Sequence, residues 1–328
     1  MAPVEFRERL IEARAGGRTI MMDGAMGTEL VRKGLQFNTE DWLRINCAEP
    51  DVIGAIHADY ARAGAEVHIA NSFATARHVL DPFGLGREFD ALNRAAVAVC
   101  RDAIDRAAAH DQWVAGSIST FAPGHDRNKL PDAATHERNV ADQAAILADA
   151  GADLIALEMV FTVDQAIPML KGAMKVGLPV SLGFVCNRGD DGTPVLGNSG
   201  VAAIEKQSMT LAQAIDATFD ACPPANDTIV TAMHSDLDHS SPALAAITAS
   251  WGGASAIYPN TGHYKDPGGW DFDACCSPDA FVAACGQWVA DGATIVGGCC
   301  GFGPDHIRAL GKRLDRHDAE QIPRGTSC

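Results

Sequence analysis

What this chain lacks narrows its chemistry before any motif is read. No Lys/Arg-rich run offsets the formal net charge of −16, so the field around the protein repels a phosphate backbone and nucleic acid is not an expected partner. The N-terminal stretch "MAPVEFRERLIEARAGG" has no apolar leader segment, and no apolar run approaches the roughly 18 residues that a spanning helix requires. A soluble, cytoplasmic protein with no membrane partner is expected. No low-complexity tract and no linker rich in Pro and Ser marks a boundary, so residues 1–328 read as one domain. A glycine-rich phosphate turn after the first apolar run is also missing, which disfavours a doubly wound dinucleotide-binding sheet.

What is present suits a packed globular protein. Hydrophobic residues make up 47% and charged ones 21%, a balance that builds a core and argues against disorder. Ten cysteines in a chain too large to need staples are expected as reduced thiols, free to bind metal. Eight short apolar runs recur along the chain: 19–23, 66–70, 113–118, 153–158, 179–185, 228–233, 253–258 and 293–297. Between them lie segments of helical spacing, such as 90–109, 140–152 and 277–293, several with Asp or Ser at the start and Gly at the end, as helix caps require. Strand and helix alternating eight times predict a closed parallel (β/α)₈ TIM barrel, whose chemistry sits on the loops that follow the strands.

Polar and metal-capable residues follow every run: Asp23-Gly24, Asn71-Ser72, Ser117, Glu158, Cys186-Asn187, His234-Ser235, Pro259-Asn260 and Gly298-Cys299-Cys300. The last group stands in "TIVGGCCGFGP" (294–304). Adjacent side chains diverge on a strand or a helix and seldom share one ligand. Gly297, Gly298 and Gly301 relax that restriction, because glycine accepts backbone angles that let both sulfurs turn inward. Thiolates suit Zn²⁺, and three protein ligands with one open position make a catalytic zinc site. Such a site binds a substrate thiol and lowers its pKa from about 8.5, giving a thiolate nucleophile at neutral pH.

In order and spacing, "DGAMGTEL" (23–30), "PDVIGAIHADYARAGAEVHIANSF" (50–73), "ADLIALEMV" (152–160), "YPNTG" (258–262) and "GGCCGFGPDHIRAL" (297–310) resemble the zinc-dependent homocysteine S-methyltransferases over essentially the whole chain. The resemblance implies a methyltransferase that moves a methyl group from a sulfonium or quaternary ammonium donor, of the S-methylmethionine, S-adenosylmethionine or betaine type, to a zinc-activated thiol such as homocysteine. It implies Cys299 and Cys300 as zinc ligands, and Asp23, Gly24 and Glu158 as holders of the amino-acid end. Asn71 keeps a position of the family's second strand end. Aromatic faces favour cationic methyl donors, and Phe73 and Tyr258 are the candidates at strand ends.

The third ligand departs from the family. Where the resemblance implies an "N-C" pair after strand six, "TAMHSDLDHSSPAL" (231–244) has His234 and Ser235, and a serine hydroxyl is a poor zinc ligand. His234 can complete a Cys₂His site; Asp236 or His239 can swing in; Cys186 can substitute; or zinc is absent and the acceptor has changed. "SISTF" (117–121) in place of the family's "S-I-G-P" points to a reshaped pocket. A same-fold enzyme with another acceptor, and a non-catalytic barrel that binds an amino acid or a metal, are the other readings the sequence admits.

Overall fold

Each of the eight apolar runs becomes a strand in the computed structural model, which describes residues 5–35, 40–107, 110–121, 130–197, 209–265 and 269–319; the ends of the expected 1–328 span lie outside these. The strands are β1 (Ile20–Met21), β2 (Val67–Ile69), β3 (Trp113–Ser119), β4 (Leu154–Val160), β5 (Val180–Arg188), β6 (Ile229–Asp236), β7 (Ala254–Asn260) and β8 (Ile295–Val296). They pair in parallel in the order β1-β8-β7-β6-β5-β4-β3-β2. A parallel bridge between Met22 and Val67 closes the ring, flanked by Asp23 N–H donating to Val67 O and Glu66 N–H donating to Met21 O. The TIM barrel expected from the strand cadence is the fold of the chain.

Period-two alternation sorts side chains between two layers. Trp113, Ala115, Leu154, Ala156, Ala254, Ala256 and Tyr258 fill the interior of the ring. Val114, Ile118, Ile155, Leu157 and Ile257 point outward into the larger core shared with the surrounding helices. Helix Phe6–Arg14 belongs to the interior layer: Phe6, Leu10 and Ala13 pack with the first residues of the strands, and the Phe6 ring lies 5.7 Å from that of Trp113. This helix therefore stoppers the N-terminal end of the barrel and leaves the loops at the C-terminal end as the mouth.

The helices start where side chains satisfy their free N–H groups. Asp132 accepts from Thr135 N–H ahead of helix Ala133–Asp149, and Ser277 from Ala280 N–H ahead of helix Pro278–Ala290. The former begins seven residues before the expected 140, since Asp132 caps a turn of polar residues that periodicity alone leaves outside the helix. Strand β5 also runs beyond its expected end at 185. Residues Cys186–Arg188 pair antiparallel with Pro194–Leu196 across a turn in which Gly192 has φ +86° and Asp191 accepts from Thr193 N–H. Cys186 is thus a strand residue, not a loop residue. No helix among the described residues is long and apolar enough to cross a membrane.

Candidate active site

Two strand ends at the mouth break their own alternation. On β6, Met233 points inward and Ala232 outward, so a regular strand would turn His234 toward the helices. The β6–β7 register shifts between Met233 and Asp236, and His234 takes φ +47°. Such a bulge re-aims a side chain, at a cost of roughly 1–2 kcal/mol for a left-handed non-glycine residue. β4 carries a second shift between Leu157 and Val160, with Met159 at φ +57° immediately after the inward-facing Glu158.

The re-aimed imidazole meets the two cysteines. His234 Nδ1 lies 3.9 Å from Cys299 Sγ and 3.9 Å from Cys300 Sγ, and the sulfurs are 3.8 Å apart. Bonds of about 2.3 Å to sulfur and 2.1 Å to nitrogen around a tetrahedral ion place sulfurs roughly 3.8 Å apart and a sulfur and a nitrogen roughly 3.6 Å apart, so this donor triangle fits zinc in chemistry and in size. Asn260 lies against it: its Oδ1 accepts from Cys300 N–H at 3.2 Å, and its Nδ2 lies 3.1 Å from His234 Nδ1, a contact that a cation on that nitrogen would replace. Gly301 has φ +87°, and a Cβ there would stand 2.1 Å from Thr261 O. A side chain at that position would separate the cysteine turn from β7. The Cys299 thiol is pushed well above its ordinary pKa by its hydrogen bond to Cys300 and by burial, so thiol protons leave as a cation binds.

Beside the triangle, two carboxyl groups are sealed in the mouth. Asp23 Oδ2 accepts from Ile69 N–H at 2.9 Å; the Tyr258 hydroxyl is 3.2 Å from both Asp23 Oδ1 and Gly24 O and donates to them. Burial drives the Asp23 pKa well up, against these hydrogen bonds, and the nearby Glu158 charge adds to the rise. Glu158 accepts from Ser117 Oγ and is raised by burial to about 7, with that bond and the nearby His234 pulling the other way. Two mutually repelling buried carboxyl groups make a strong demand for a cation. At Gly24 a Cβ would meet Phe302 O at 2.5 Å and the Tyr60 ring at 2.6 Å, so the backbone there is packed as only glycine allows.

The other expected residues have partners of their own. Asn71 Nδ2 donates to Asn46 Oδ1 at 2.8 Å, and Asn46 Nδ2 donates back to Asn71 O. Phe73 packs against Phe121, with ring centroids 5.4 Å apart, and against Met159, Phe161 and Val185. Tyr258 is buried, its hydroxyl occupied as above.

Residues 20–314 match the sequence model of the family described as homocysteine S-methyltransferase. The chain belongs to the homocysteine S-methyltransferase family. Homocysteine S-methyltransferase 4 of Zea mays is 25% identical over 337 aligned residues, covering 94% of this chain and 93% of that one. A selenocysteine methyltransferase of Astragalus bisulcatus is 26% identical over 334 aligned residues, covering 91% and 93%. The metallated form of the homocysteine methyltransferase MmuM from Escherichia coli shares the fold, with a TM-score of 0.73 at 21% identity over 93% of this chain and 99% of that one.

In this S-methyltransferase, an enzyme by family, Ser235 stands away from the sulfurs. Its hydroxyl donates to Met233 O at 2.7 Å and accepts from Cys186 N–H at 2.8 Å, tying β6 to β5. Asp236 and His239 group with Asp238 rather than with the cysteines, because the chain turns at Leu237–His239 into the next helix. Cys186 packs in the outer core, its thiol raised to about 12 by burial. Of the replacements open to the sequence, His234 is the one grouped with Cys299 and Cys300 among the described residues. The bracing roles of Asn260 and Ser117 went unforeseen; their strand-end positions were the available signal.

Proposed function

We propose that this enzyme methylates a homocysteine-type thiol amino acid, taking the methyl group from a small sulfonium or quaternary ammonium donor. The observation that carries the reading is the His234–Cys299–Cys300 triangle beside two buried carboxyl groups. Cys299, Cys300 and His234 hold zinc and leave a position for the substrate sulfur. Zinc, when bound, supplies the positive charge that keeps a thiol deprotonated at neutral pH.

Asp23 and Glu158 receive the substrate ammonium, which offsets the repulsion between them, and backbone N–H groups around Gly24 receive its carboxylate. Tyr258 fixes Asp23 from behind, and Ser117 fixes Glu158. Phe73 offers an aromatic face toward a cationic donor, and Asn71 shapes the wall beside it. In the transfer, a lone pair on the substrate sulfur forms the new S–CH₃ bond as the methyl–onium bond breaks. That bonding pair returns to the donor heteroatom, whose positive charge is lost, and the original thiol proton leaves to solvent. Holding both reactants in line supplies much of the acceleration. The described cysteines are free thiols, which supports a reducing, cytoplasmic setting for chemistry that depends on them. The similarity to a selenocysteine methyltransferase supports a selenol amino acid as a second acceptor.

The test is zinc content and methionine formation from homocysteine with S-methylmethionine, S-adenosylmethionine and betaine. Near-stoichiometric zinc, lost together with turnover in the Cys299→Ser/Cys300→Ser variant, is expected. No zinc after reducing reconstitution, with no methionine from any donor, overturns the reading.

A further inference from the structure

The cysteine turn at the mouth is laced to the loop that follows β1. Gly298 N–H donates to Asp23 O at 3.3 Å and Ala25 N–H to Phe302 O at 3.0 Å, so the two segments run against each other. Helix Met26–Arg32, which comes next, sends two side chains onto the turn itself. Thr28, fully buried, accepts from Gly301 N–H at 3.2 Å, and Arg32 Nη2 donates to Gly301 O at 3.2 Å. Both polar groups of a residue that has no side chain of its own are thus held by one helix. Arg32 is fixed in its turn: Nη1 donates to Glu29, and the guanidinium lies 4.2 Å from the centroid of the Phe272 ring.

Gly301 sets the type of this turn. Phe302 N–H donates to Cys299 O at 3.2 Å, closing four residues with Cys300 and Gly301 at the centre. Of these two, Gly301 alone has a positive φ, which is the pattern of a type II turn; a type I turn joins the same ends with the central peptide reversed. Here that peptide is bonded on both sides, because Cys300 O accepts from Thr261 N–H at 2.9 Å and Gly301 N–H is given to Thr28 Oγ1. Without the Thr28 hydroxyl, Gly301 N–H is buried and unpaired, and the turn must rearrange to satisfy it. The 3.8 Å approach of the two neighbouring sulfurs depends on the shape of the turn, since adjacent side chains otherwise diverge.

We propose that Thr28 and Arg32 are positioning residues for the metal: they clamp Gly301 so that Cys299 and Cys300 present both sulfurs to one cation beside His234. They act through the backbone, from the layer behind the donors, where a lost hydrogen bond costs roughly 10- to 100-fold in metal affinity. The inference rests on the zinc reading of the triangle. It gives a task to the part of "DGAMGTEL" that lies beyond Asp23 and Gly24.

The full chain is compared as wild type, Thr28→Val, Thr28→Ser and Arg32→Met, by zinc titration against a chelating competitor and by Co²⁺ absorption under reducing conditions. Thr28→Val, which keeps the shape and deletes the acceptor, should weaken zinc binding by roughly 10- to 100-fold and Arg32→Met by a smaller factor, whereas Thr28→Ser should return to within roughly threefold of wild type. At saturating cobalt, the thiolate charge-transfer band of Thr28→Val should fall to about half per bound ion as one sulfur leaves the shell. A loss of stability alone would leave that band unchanged. Should Thr28→Val not fold, Arg32→Met, made at a partly exposed side chain, decides by the same two readings. Wild-type affinity and an unaltered band in the variants that fold overturn the inference and leave the zinc reading standing; a wild type that binds no zinc overturns that reading and this inference with it.

Discussion

Glu158 gives the sharpest quantitative handle on the site. Its folded carboxyl holds a proton up to about pH 7, whereas an ordinary glutamate releases it near 4.5. Over that window the folded state binds more protons than the unfolded chain, so stability falls as pH rises through it, and the loss is complete above pH 7. At full development it is about 3 kcal/mol. Glu158→Gln keeps a similar shape and an acceptor for Ser117 but has no charge to bury, so the variant escapes the loss. Thermal unfolding of metal-free wild type and variant, compared across pH, cancels the titrating groups that do not feel the Glu158 charge. The variant's Tm relative to wild type should climb by about 4 °C between roughly pH 5 and pH 8 for a chain of this size. Homocysteine adds a second arm: its ammonium prefers the ionised carboxyl, so affinity should weaken by about tenfold per pH unit below pH 7 in wild type and less steeply in the variant, where Asp23 is the remaining carboxyl. A Tm difference that stays flat with pH would refute the reasoning, because Glu158 would then ionise as an ordinary exposed glutamate.

Three further outcomes test the surroundings. His234→Ala should weaken zinc binding by roughly 100-fold or more in chelator competition, whereas His239→Ala should leave it nearly unchanged; the reverse order would move the third ligand. Ser235→Ala leaves the buried Cys186 N–H without its acceptor and should cost about 1–3 kcal/mol in denaturant titration while zinc content stays at the wild-type level. Gly301→Ala forces a Cβ onto a backbone at φ +87°, 2.1 Å from Thr261 O, and should destabilise the protein by more than about 2 kcal/mol and release metal; a neutral effect would mean the turn has another conformation.

How far the sequence could be read depended on whether a residue obeys its element's period. The strand positions, and Glu158 at the inward end of β4, follow from alternation. Asp23 and the cysteine turn stand where the loops of a barrel should carry chemistry. His234 does not follow: alternation points it the wrong way, and nothing in "AMHSD" announces a left-handed histidine. The part played by Ser235 was hidden for a related reason, since its partner Cys186 belongs to a strand that continues into a hairpin set by Asp191 and Gly192. His57 and His68 each lie within an apolar segment, and nothing in one dimension announces that they meet beside Asp23.

The filled interior of the ring, with Phe6, Leu10 and Ala13 packed across its N-terminal end, has a kinetic consequence. It leaves the mouth as the way in for both reactants. With the amino acid held at the buried Asp23 and Glu158, as proposed, it would arrive before the donor and depart only after the spent donor has gone: first in, last out. The methylated amino acid should then compete directly with the incoming thiol for the empty enzyme, and raising the donor concentration should not relieve that inhibition.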